Sequence, residues 1–492
     1  MKLQHLGVGI IHSLIGKNDG VSIVIDQTVN AMVDNMGMEL GNIFFLAAHS
    51  SPRFNAETND IFWHKNEVHK RIINDFQTDN TEGLDELIHE KATYAKEVIK
   101  EFVERNHIDL LIAHNTCHPY NFITAVGLGY YIEELREQGI IWPKLMVWWH
   151  DSYFERPIFA KPNAVIKKYL KYLPGNLVDG LAFINHSQIE IAKRMYAEEG
   201  LPNLEEFFKH RSCVVPNTSD IPWDWKYLDW KQSEPIYPVQ DNYNDDFFKD
   251  IGLLEKLNDK GLTLDDACIL LQHTRVVPRK RIEVALELAF ELEKKYLADG
   301  KLKSVVVLIS GHSGDEQVAY SEYLEEYFAK LLAKNPKSNV LLIFGEGSIL
   351  SHRDIIVDKK YYNFKEIPSI IAAQGGIGTY FSDIEGFGNN LLEMMSYGLP
   401  AVINKYEVYK QEIEHLGFDL PATENCIVTK ELVDAAYQLL TDTIKRNQTV
   451  HHNLEVLSQK LDHSIIAKKL NPLITNIFTR TLTNQVTPEK NK

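Results

Sequence analysis

Short apolar segments alternate with longer helical patterns along most of the chain, and this alternation constrains the fold more than any other feature. In the first half, apolar segments predict strands at residues 3–11, 42–48, 109–115, 144–150, 180–185 and 212–217. Helical patterns lie between them, for example at residues 84–105 and 187–197. Strands that alternate with helices are typical of parallel sheets covered by helices. We therefore expect a doubly wound α/β domain here.

The alternation of predicted strands and helices resumes after an irregular segment. Residues 221 to 260 are aromatic, acidic and proline-containing, and they predict a connector whose tryptophans pack against a domain. Further strands are predicted at residues 267–273, 304–310, 339–344, 376–381 and 400–404, and helices at 281–297, 316–332 and 390–397. Because 492 residues exceed what one hydrophobic core usually holds, the second set predicts a second doubly wound domain.

The charge balance disfavours several kinds of partner. Lys and Arg number 52 against 68 Asp and Glu, which gives a formal charge of -16. This excess of acid disfavours nucleic acid and anionic lipid surfaces. The four cysteines form no C-x-x-C pair, and no apolar run approaches the ~20 residues of a membrane span. The scattered cysteines predict no structural zinc. The start of the chain has no signal-peptide pattern, so we expect a cytoplasmic protein.

One motif, SDIEGFGNNLLEMMSYGLPAV at residues 382–402, carries most of the chemistry. Gly386 and Gly388 allow a tight turn before a helix, whose exposed N–H groups favour an anion. Glu385 and Glu393 lie eight residues apart, about 12 Å if the segment were helical. This exceeds the roughly 5 to 9.5 Å between glycosidase carboxylates, so separate roles on one extended ligand are favoured over an acid/base pair.

A second motif, QHTRVVPRKR at residues 272–281, follows a predicted strand and leads into a helix. Arg275 and Lys280 are two cations five residues apart, which suits a diphosphate: Arg offers a planar fork and Lys a mobile point charge. A solvated basic turn is the alternative for this motif alone. Arg279 and Arg281 are expected to be flanking surface charges.

These motifs together resemble a known family. The E-x7-E spacing around G-F-G, followed by E-x4-G-x-P from Glu393 to Pro400, is similar to the signature of retaining glycosyltransferases of family 4. Arg275 and Lys280 match the R-x4-K pattern of that family. The segment from residue 385 to 419 is further similar to the branch that contains mannosylglucosylglycerate synthase.

The resemblance implies a fold and an activity. The fold is GT-B, with two Rossmann-like domains facing a cleft. The activity is transfer of a hexosyl group, mannose or glucose, from a GDP- or UDP-linked sugar to a hydroxyl of a small soluble sugar or glycoside, with retention of configuration. No D-x-D element is found, so the resemblance implies no metal and no other cofactor. A glycosyl phosphorylase, a non-catalytic nucleotide-sugar-binding protein and a nucleotide-sugar epimerase are the alternatives.

The resemblance also implies roles for residues. The implied catalytic residues are His150, Arg275, Lys280 and Glu385. The implied donor-binding residues are Gly20, Arg275, Lys280, Gly386, Phe387, Gly388, Asn389, Asn390, Leu391 and Glu393. The acceptor-side candidates are His114, Asn115 and Asp151. The match at Gly20 is partial, because the family's loop has paired glycines and this chain has Asp19-Gly20. For His114, Asn115 and His150, a purely structural role is the alternative.

The expected domains are an N-terminal domain at 1–220, a connector at 221–262 and a nucleotide-sugar-binding domain at 263–455. As in GT-B relatives, a C-terminal helix at 456–480 is expected to return to the first domain, followed by a flexible tail at 481–492. The loop at 310–316 after a second-domain strand is a further candidate to border the nucleotide.

Overall fold

The computed structural model describes residues 3–17, 19–201, 203–311 and 318–484. The chain forms two compact units. The first unit comprises Met1–Thr218 and His463–Lys492, and the second comprises Ser219–Asp462. The connector expected at 221–262 thus belongs to the second unit. Residues 485–492 of the expected tail, and residues 312–316 of the loop at 310–316, lie outside the described residues.

The first unit is built on a parallel sheet. Its strands are β1 (Val8–Ile11), β2 (Leu14–Ile15), β3 (Ile43–Ala47), β4 (His49–Ser50), β5 (Glu57–Thr58), β6 (Leu110–His114), β7 (Lys144–Trp149), β8 (Gly180–Phe183) and β9 (Ser212–Val214). The 7-stranded sheet has the order β5-β3-β1-β6-β7-β8-β9, and β2 pairs with β4 separately. The six strands predicted from apolar segments are confirmed, and each is shorter than predicted at one or both ends.

Helices cover this sheet. They are α1 (Gly20–Asp34), α2 (Glu67–Asp75), α3 (Leu84–Arg105), α4 (Phe122–Glu137), α5 (Ala164–Lys167), α6 (Ser187–Glu198) and α7 (Leu204–Arg211). The sequence of α3 shows why it forms: buried residues recur every three or four positions, from Leu84 through Ile88 to Phe102. Acidic residues in its first turn and Arg105 in its last complement the helix dipole. The predicted helix at 84–105 is confirmed.

The second unit repeats the architecture. Its strands are β10 (Ala267–Gln272), β11 (Ser304–Ile309), β12 (Leu341–Phe344), β13 (Ile349–Leu350), β14 (Asp354–Ile356), β15 (Lys359–Asn363), β16 (Ile377–Tyr380), β17 (Ala401–Asn404) and β18 (Ala422–Thr423). The 6-stranded sheet has the order β12-β11-β10-β16-β17-β18. Neighbouring strands of this sheet are parallel. A doubly wound parallel sheet in each unit confirms the predicted fold class.

The helices of the second unit include the three predicted ones. They are α8 (Phe247–Asp250), α9 (Leu253–Asn258), α10 (Ile282–Ala298), α11 (Val318–Lys334), α12 (Ile367–Ala373), α13 (Asn389–Ser396), α14 (Lys430–Thr441) and α15 (Thr443–Lys460). A small sheet of order β13-β15-β14 was not predicted, because its strands have two to five residues and leave no clear apolar alternation.

The aromatic connector packs within the second unit, as predicted. Trp225 and Trp230 form a buried cluster with Val450 and Leu454 of α15. The Trp223 Nε1 donates a hydrogen bond to the carbonyl of Ser396 at 2.9 Å. These tryptophans hold the connector against α13 and α15.

The end of the described chain returns to the first unit. Helix α16 (Ser464–Asn484) begins eight residues later than the C-terminal helix expected at 456–480, because the chain leaves α15 at Lys460. Contacts of α16 are with α1, α7, β8 and β9. Gly180 on β8 leaves room for this helix, since a Cβ there would lie 2.6 Å from Cδ1 of Ile477.

A buried arginine caps the C-terminal end of α12. Arg446 on α15 donates hydrogen bonds to the carbonyls of Gly375 at 3.1 Å, Ala372 at 3.4 Å and Leu439 at 3.5 Å. Burial lowers its pKa to about 10, so it stays charged at neutral pH. The guanidinium thereby satisfies carbonyls at the ends of two helices.

Arg446→Met is expected to destabilise the second unit by about 2–4 kcal/mol, since each buried acceptor left unpaired costs roughly 1–3 kcal/mol. Urea unfolding followed by tryptophan fluorescence measures this. The neighbouring Lys445→Met is the control: its exposed pair with Asp419 at 2.9 Å contributes less than about 1 kcal/mol. Equal stability of both variants would contradict the role assigned to Arg446.

Candidate active site

The register of two strands in the second unit places the predicted motifs side by side. β10 and β16 are neighbours in the sheet, with Leu270 opposite Ile377 and Leu271 opposite Gly378. Because the strands are parallel, the loops that follow them leave from the same edge. The backbone N–H of Asp383 donates to the carbonyl of Arg279 at 2.9 Å, which joins the two loops directly. Ligands of open α/β sheets bind at such an edge.

A buried carboxylate lies at this junction. Glu385, whose side chain is 9% exposed, accepts hydrogen bonds from Lys280 Nζ and from Arg279 Nη1, the latter at 2.9 Å. Arg279 also donates to the carbonyl of Ile384 at 2.7 Å. The Lys280 ammonium lies 5.0 Å from the centre of the Tyr380 ring. We call Arg279, Lys280, Tyr380 and Glu385 the Glu385 cluster.

The charged groups of this cluster shift each other's pKa values. Burial alone raises the pKa of Glu385, but attraction to Lys280 and Arg279 outweighs it and lowers the pKa to about 2. Burial lowers the pKa of Lys280 to about 8, against the attraction of Glu385. At neutral pH both groups are therefore charged. The pKa of Lys280 lies only slightly above neutral pH, so this lysine loses its proton when the pH rises moderately.

Arg279 corrects a sequence-based expectation. We expected both Arg279 and Arg281 to be surface charges, yet the turn at Pro278–Lys280 brings Arg279 to the same carboxylate as Lys280. Arg281 does flank the site, with its guanidinium 2.9 Å from Glu283 and 3.5 Å from Asp383. Arg275 is exposed, and its charge lowers the pKa of Lys280 further. The Glu385 cluster therefore has two cations for one carboxylate, with Arg275 as a further cation nearby.

The second glutamate has its own support. Glu393 on α13 has its Oε2 3.3 Å from Nε2 of His273, and Nδ1 of His273 lies 2.9 Å from the Ser310 hydroxyl. The His273 ring stacks on Phe364 at 4.0 Å between centroids. The sequence analysis did not identify His273 or Phe364, whereas Ser310 begins the loop at 310–316 that it gave as a candidate to border the nucleotide. Since His273 and Ser310 each directly follow a strand, their position at the sheet edge was the available signal.

The glycine turn fixes the start of α13. Gly388 has a φ of 125°, and a Cβ there would lie 2.3 Å from the Tyr406 hydroxyl. That hydroxyl donates to the carbonyl of Phe387 at 2.6 Å. The remaining predicted donor-binding residues lie in the turn or the first turn of the helix: Gly386, Asn389, Asn390 and Leu391. Phe387 and Leu391 are buried, so they shape the turn from the protein side.

Histidines mark the corresponding edge of the first unit. His12, His114 and His150 follow or end the neighbouring strands β1, β6 and β7. His114 Nδ1 lies 3.0 Å from His150 Nε2, and His12 Nδ1 lies 3.2 Å from the His114 carbonyl. Burial lowers the pKa of all three, that of His150 to about 3, so they are neutral at physiological pH. The sequence analysis had not identified His12.

The other acceptor-side candidates stabilise a turn. The Asn115 Oδ1 accepts a hydrogen bond from the backbone N–H of Asp151 at 3.0 Å. The Asp151 carboxylate accepts from Arg156 Nε at 2.6 Å and from the N–H of Ser152 at 2.9 Å. Both side chains thus have structural partners, and their acceptor-side role stays a prediction.

Gly20 lies at the first position of α1, where the Asp19 carboxylate caps the helix by accepting from the N–H groups of Val21 and Ser22 at 3.1 Å. In the same loop, Gly16 has a φ of 68°. The donor-binding role of Gly20 stays a prediction.

Comparisons with known proteins indicate the class of enzyme. Residues 255–453 match the model of glycosyl transferases group 1, and this range holds the Glu385 cluster and Glu393. The chain is 26% identical over 431 residues to mannosylglucosylglycerate synthase of Petrotoga mobilis, which covers 84% of this chain and 85% of the relative. It is 30% identical over 331 residues to mannosylglucosylglycerate synthase of Thermotoga maritima, 62% of this chain and 64% of the relative. The protein is a glycosyltransferase, and its residues 255–453 are similar to glycosyl transferases group 1.

A solved structure supports the fold of this glycosyltransferase. A UDP-forming α,α-trehalose-phosphate synthase from Burkholderia xenovorans aligns with a TM-score of 0.55 at 10% identity, over 96% of this chain and 98% of that chain. The GT-B fold is thereby confirmed. The two curated relatives are named synthases, which favours a transferase over the phosphorylase and the binding protein. Within the described part of the chain, none of the helices combines the length and apolar character that crossing a membrane requires.

Glu385→Gln is expected to destabilise the glycosyltransferase by about 3–5 kcal/mol at pH 7, because it leaves Lys280 a buried cation without its carboxylate. The folded-state pKa of Glu385, about 2, lies below the ordinary value of 4.5. Its stabilising contribution is therefore present above pH 4.5 and lost as the pH falls towards 2. Urea unfolding across this pH window should show a smaller loss for the variant than for the wild type.

Asp383→Asn is the matched control. Asp383 lies on the same loop but is 42% exposed, and its pair with Arg281 spans 3.5 Å. Its replacement should cost less than about 1 kcal/mol. If Glu385→Gln were as stable as this control at pH 7, the cluster would not hold the two loops together.

Proposed function

We propose that the protein transfers a hexosyl group, mannosyl as in the products named for its relatives, from a nucleoside diphosphate sugar to a hydroxyl of a small glycoside. Configuration at the anomeric carbon is retained, and no metal takes part. The observation that carries this proposal is the Glu385 cluster, which holds two cations at the sheet edge beside the start of α13.

The cations and the helix start suit a departing diphosphate. Breaking the bond between the sugar and the phosphate develops negative charge on the leaving group, and preorganised donors aimed at that charge lower the barrier most. Lys280, held by Glu385, supplies a fixed point charge, and Arg275 supplies a forked donor. The first N–H groups of α13 add the positive end of a helix dipole. In this proposal these groups take the place that a divalent ion occupies in metal-dependent transferases.

The two glutamates have different tasks. Glu393, oriented by His273 and Ser310, accepts hydrogen bonds from the ribose hydroxyls of the donor. Glu385 positions Arg279 and Lys280, and its remaining lone pairs accept from a hydroxyl of the transferred sugar. His150 and Gly20 keep the donor-side roles that the family resemblance implies.

The reaction proceeds on one face of the sugar. The bond from the anomeric carbon to the phosphate oxygen breaks while the acceptor oxygen bonds to the same face of that carbon. The acceptor proton passes to the leaving phosphate oxygen, so no separate enzyme base is required. This accounts for retention without a covalent glycosyl-enzyme.

A panel of donors, each assayed with the same acceptor, tests the activity. GDP-mannose, GDP-glucose, UDP-glucose and UDP-mannose are each incubated with a glucoside of glycerate, with and without EDTA, and the product linkage is read by NMR. We expect nucleoside diphosphate release coupled to an α-linked product, unchanged by EDTA. Sugar phosphate formed from inorganic phosphate without nucleotide would indicate a phosphorylase. Conversion of the donor sugar without an acceptor would indicate an epimerase, and nucleotide binding without turnover would indicate a binding protein.

Glu393→Ala is expected to remove most of the stabilisation by nucleotide. A nucleoside diphosphate at 100 times its dissociation constant stabilises the wild type by ~2.7 kcal/mol, which a thermal-shift assay detects. Lys280→Ala should lose it as well. Glu407→Ala, an exposed glutamate outside the site, is the control and should keep the full shift. A full shift in both site variants would remove the donor-site assignment.

The pH dependence of donor use follows from Lys280. Because its pKa is lowered to about 8, the free enzyme loses this cation as the pH rises through that value. The kcat/KM for the donor should therefore fall tenfold per pH unit above about pH 8. Lys280→Arg keeps its charge and should show no such decline up to pH 9.5 or so. An identical decline in both proteins would show that another group titrates.

A further inference from the structure

A pocket with both polar and apolar lining lies in the first unit, apart from the residues already assigned. It has a volume of about 590 Å³ and is lined by Leu14, Lys17, Ala48, His49, Ser50 and Thr58. The paired strands β2 and β4 form part of its wall, with Leu14 opposite His49. They continue the chain beyond β1 and β3, so the pocket lies at the carboxyl edge of the sheet. Its size is within the range of small-molecule sites.

The lining has one sign of charge. Lys17 contributes an ammonium, and none of the lining residues is acidic. Within the described residues, Lys17 makes no ion pair, although the whole chain has an excess of acidic residues. In the same part of the chain, the hydroxyls of Ser50 and Thr58 make no hydrogen bond. A cation with no carboxylate beside it favours an anionic group on a ligand.

The backbone around Lys17 is anchored. Gly16, with a φ of 68°, turns the chain just before Lys17, and a Cβ there would lie 2.3 Å from the Ser51 hydroxyl. The N–H of Ser51 donates to the carbonyl of Ile15 at 3.0 Å. His49 is held by an edge contact with Trp63 at 4.6 Å between ring centroids. The donors of the pocket therefore arise from a fixed wall.

We infer that this pocket binds the anionic end of the acceptor, with Lys17 at a carboxylate and Ser50, Thr58 and His49 at neighbouring hydroxyls. The inference rests on the proposed function and narrows its acceptor to carboxylate-bearing glycosides. The glycerate part of the relatives' product names supplies a group of this chemistry. A sugar phosphate offers the same negative charge, and the experiment separates the two.

The inference is tested by combining one substitution in the protein with one change in the acceptor. The wild type and Lys17→Met are assayed with a glucoside of glycerate and with the same glucoside of glycerol, in which a neutral CH2OH replaces the carboxylate. We expect Lys17→Met to raise the KM for the glycerate glucoside about 10- to 100-fold, as loss of a charged hydrogen bond does. The KM for the glycerol glucoside should change less than about twofold, and the donor KM should not change.

Lys161→Met is the matched control, since Lys161 is an exposed lysine of the first unit outside the pocket lining. It should leave both acceptor KM values unchanged. An equal rise for the charged and neutral acceptors in Lys17→Met would overturn the inference, as would no rise for either. Transfer to the glycerol glucoside with the same KM as the glycerate glucoside in the wild type would overturn it while leaving the proposed function intact.

Calorimetric titration without donor separates binding from catalysis. Wild-type protein should bind the glycerate glucoside at least tenfold more tightly than Lys17→Met does, even if no transfer occurs with any donor. Failure of transfer with this binding difference would refute the proposed function but support the pocket. Tighter Lys17-dependent binding of glucose 6-phosphate than of the glycerate glucoside would overturn the assignment to a carboxylate.

Discussion

The ion pairs of Glu385 are the interaction on which the site of the second unit depends. They join loops that are 105 residues apart in sequence, and the shared register of β10 and β16 puts those loops within reach. Lys280, 3% exposed, is too deeply buried to carry its charge without a partner. One carboxylate therefore holds two cations in place, and the Glu385 cluster keeps a net positive charge. Removal of that carboxylate would leave Arg279 and Lys280 to repel each other.

In the same arrangement, different groups of the proposed donor site suit different parts of the donor. The cations and the start of α13 form a positive end suited to phosphates, whereas Glu393 forms an acceptor of hydrogen bonds on the helix itself. His273 connects that glutamate to Ser310 and to the stacked ring of Phe364. Both glutamates are thus fixed by partners from the segment that follows β10, which keeps the geometry constant before a ligand arrives.

Much of this could be predicted from the sequence. The strands and helices follow from apolar periodicity, and the E-x7-E motif with Arg275 and Lys280 identifies the family and the sheet edge. Arg279 could not be separated from Arg281, because both flank Lys280 and only the turn at Pro278–Lys280 decides which one reaches Glu385.

Other features depend on contacts that sequence spacing does not reveal. His273 gains its role from Glu393, 120 residues away. The family resemblance pointed to Gly20 in the loop after the first strand, whereas the crowding at Ser51 that requires a glycine occurs at Gly16. The pocket beside Lys17 likewise arises only when β2 pairs with β4.

The most direct test of the central claim is a crystal structure of the protein with a nucleoside diphosphate sugar. The account predicts diphosphate oxygens at about 2.7–3.2 Å from Lys280 Nζ, from the Arg275 guanidinium and from the first N–H groups of α13. Ribose hydroxyls should contact Glu393. Phosphates bound away from these groups, with Lys280 still paired to Glu385 alone, would contradict it.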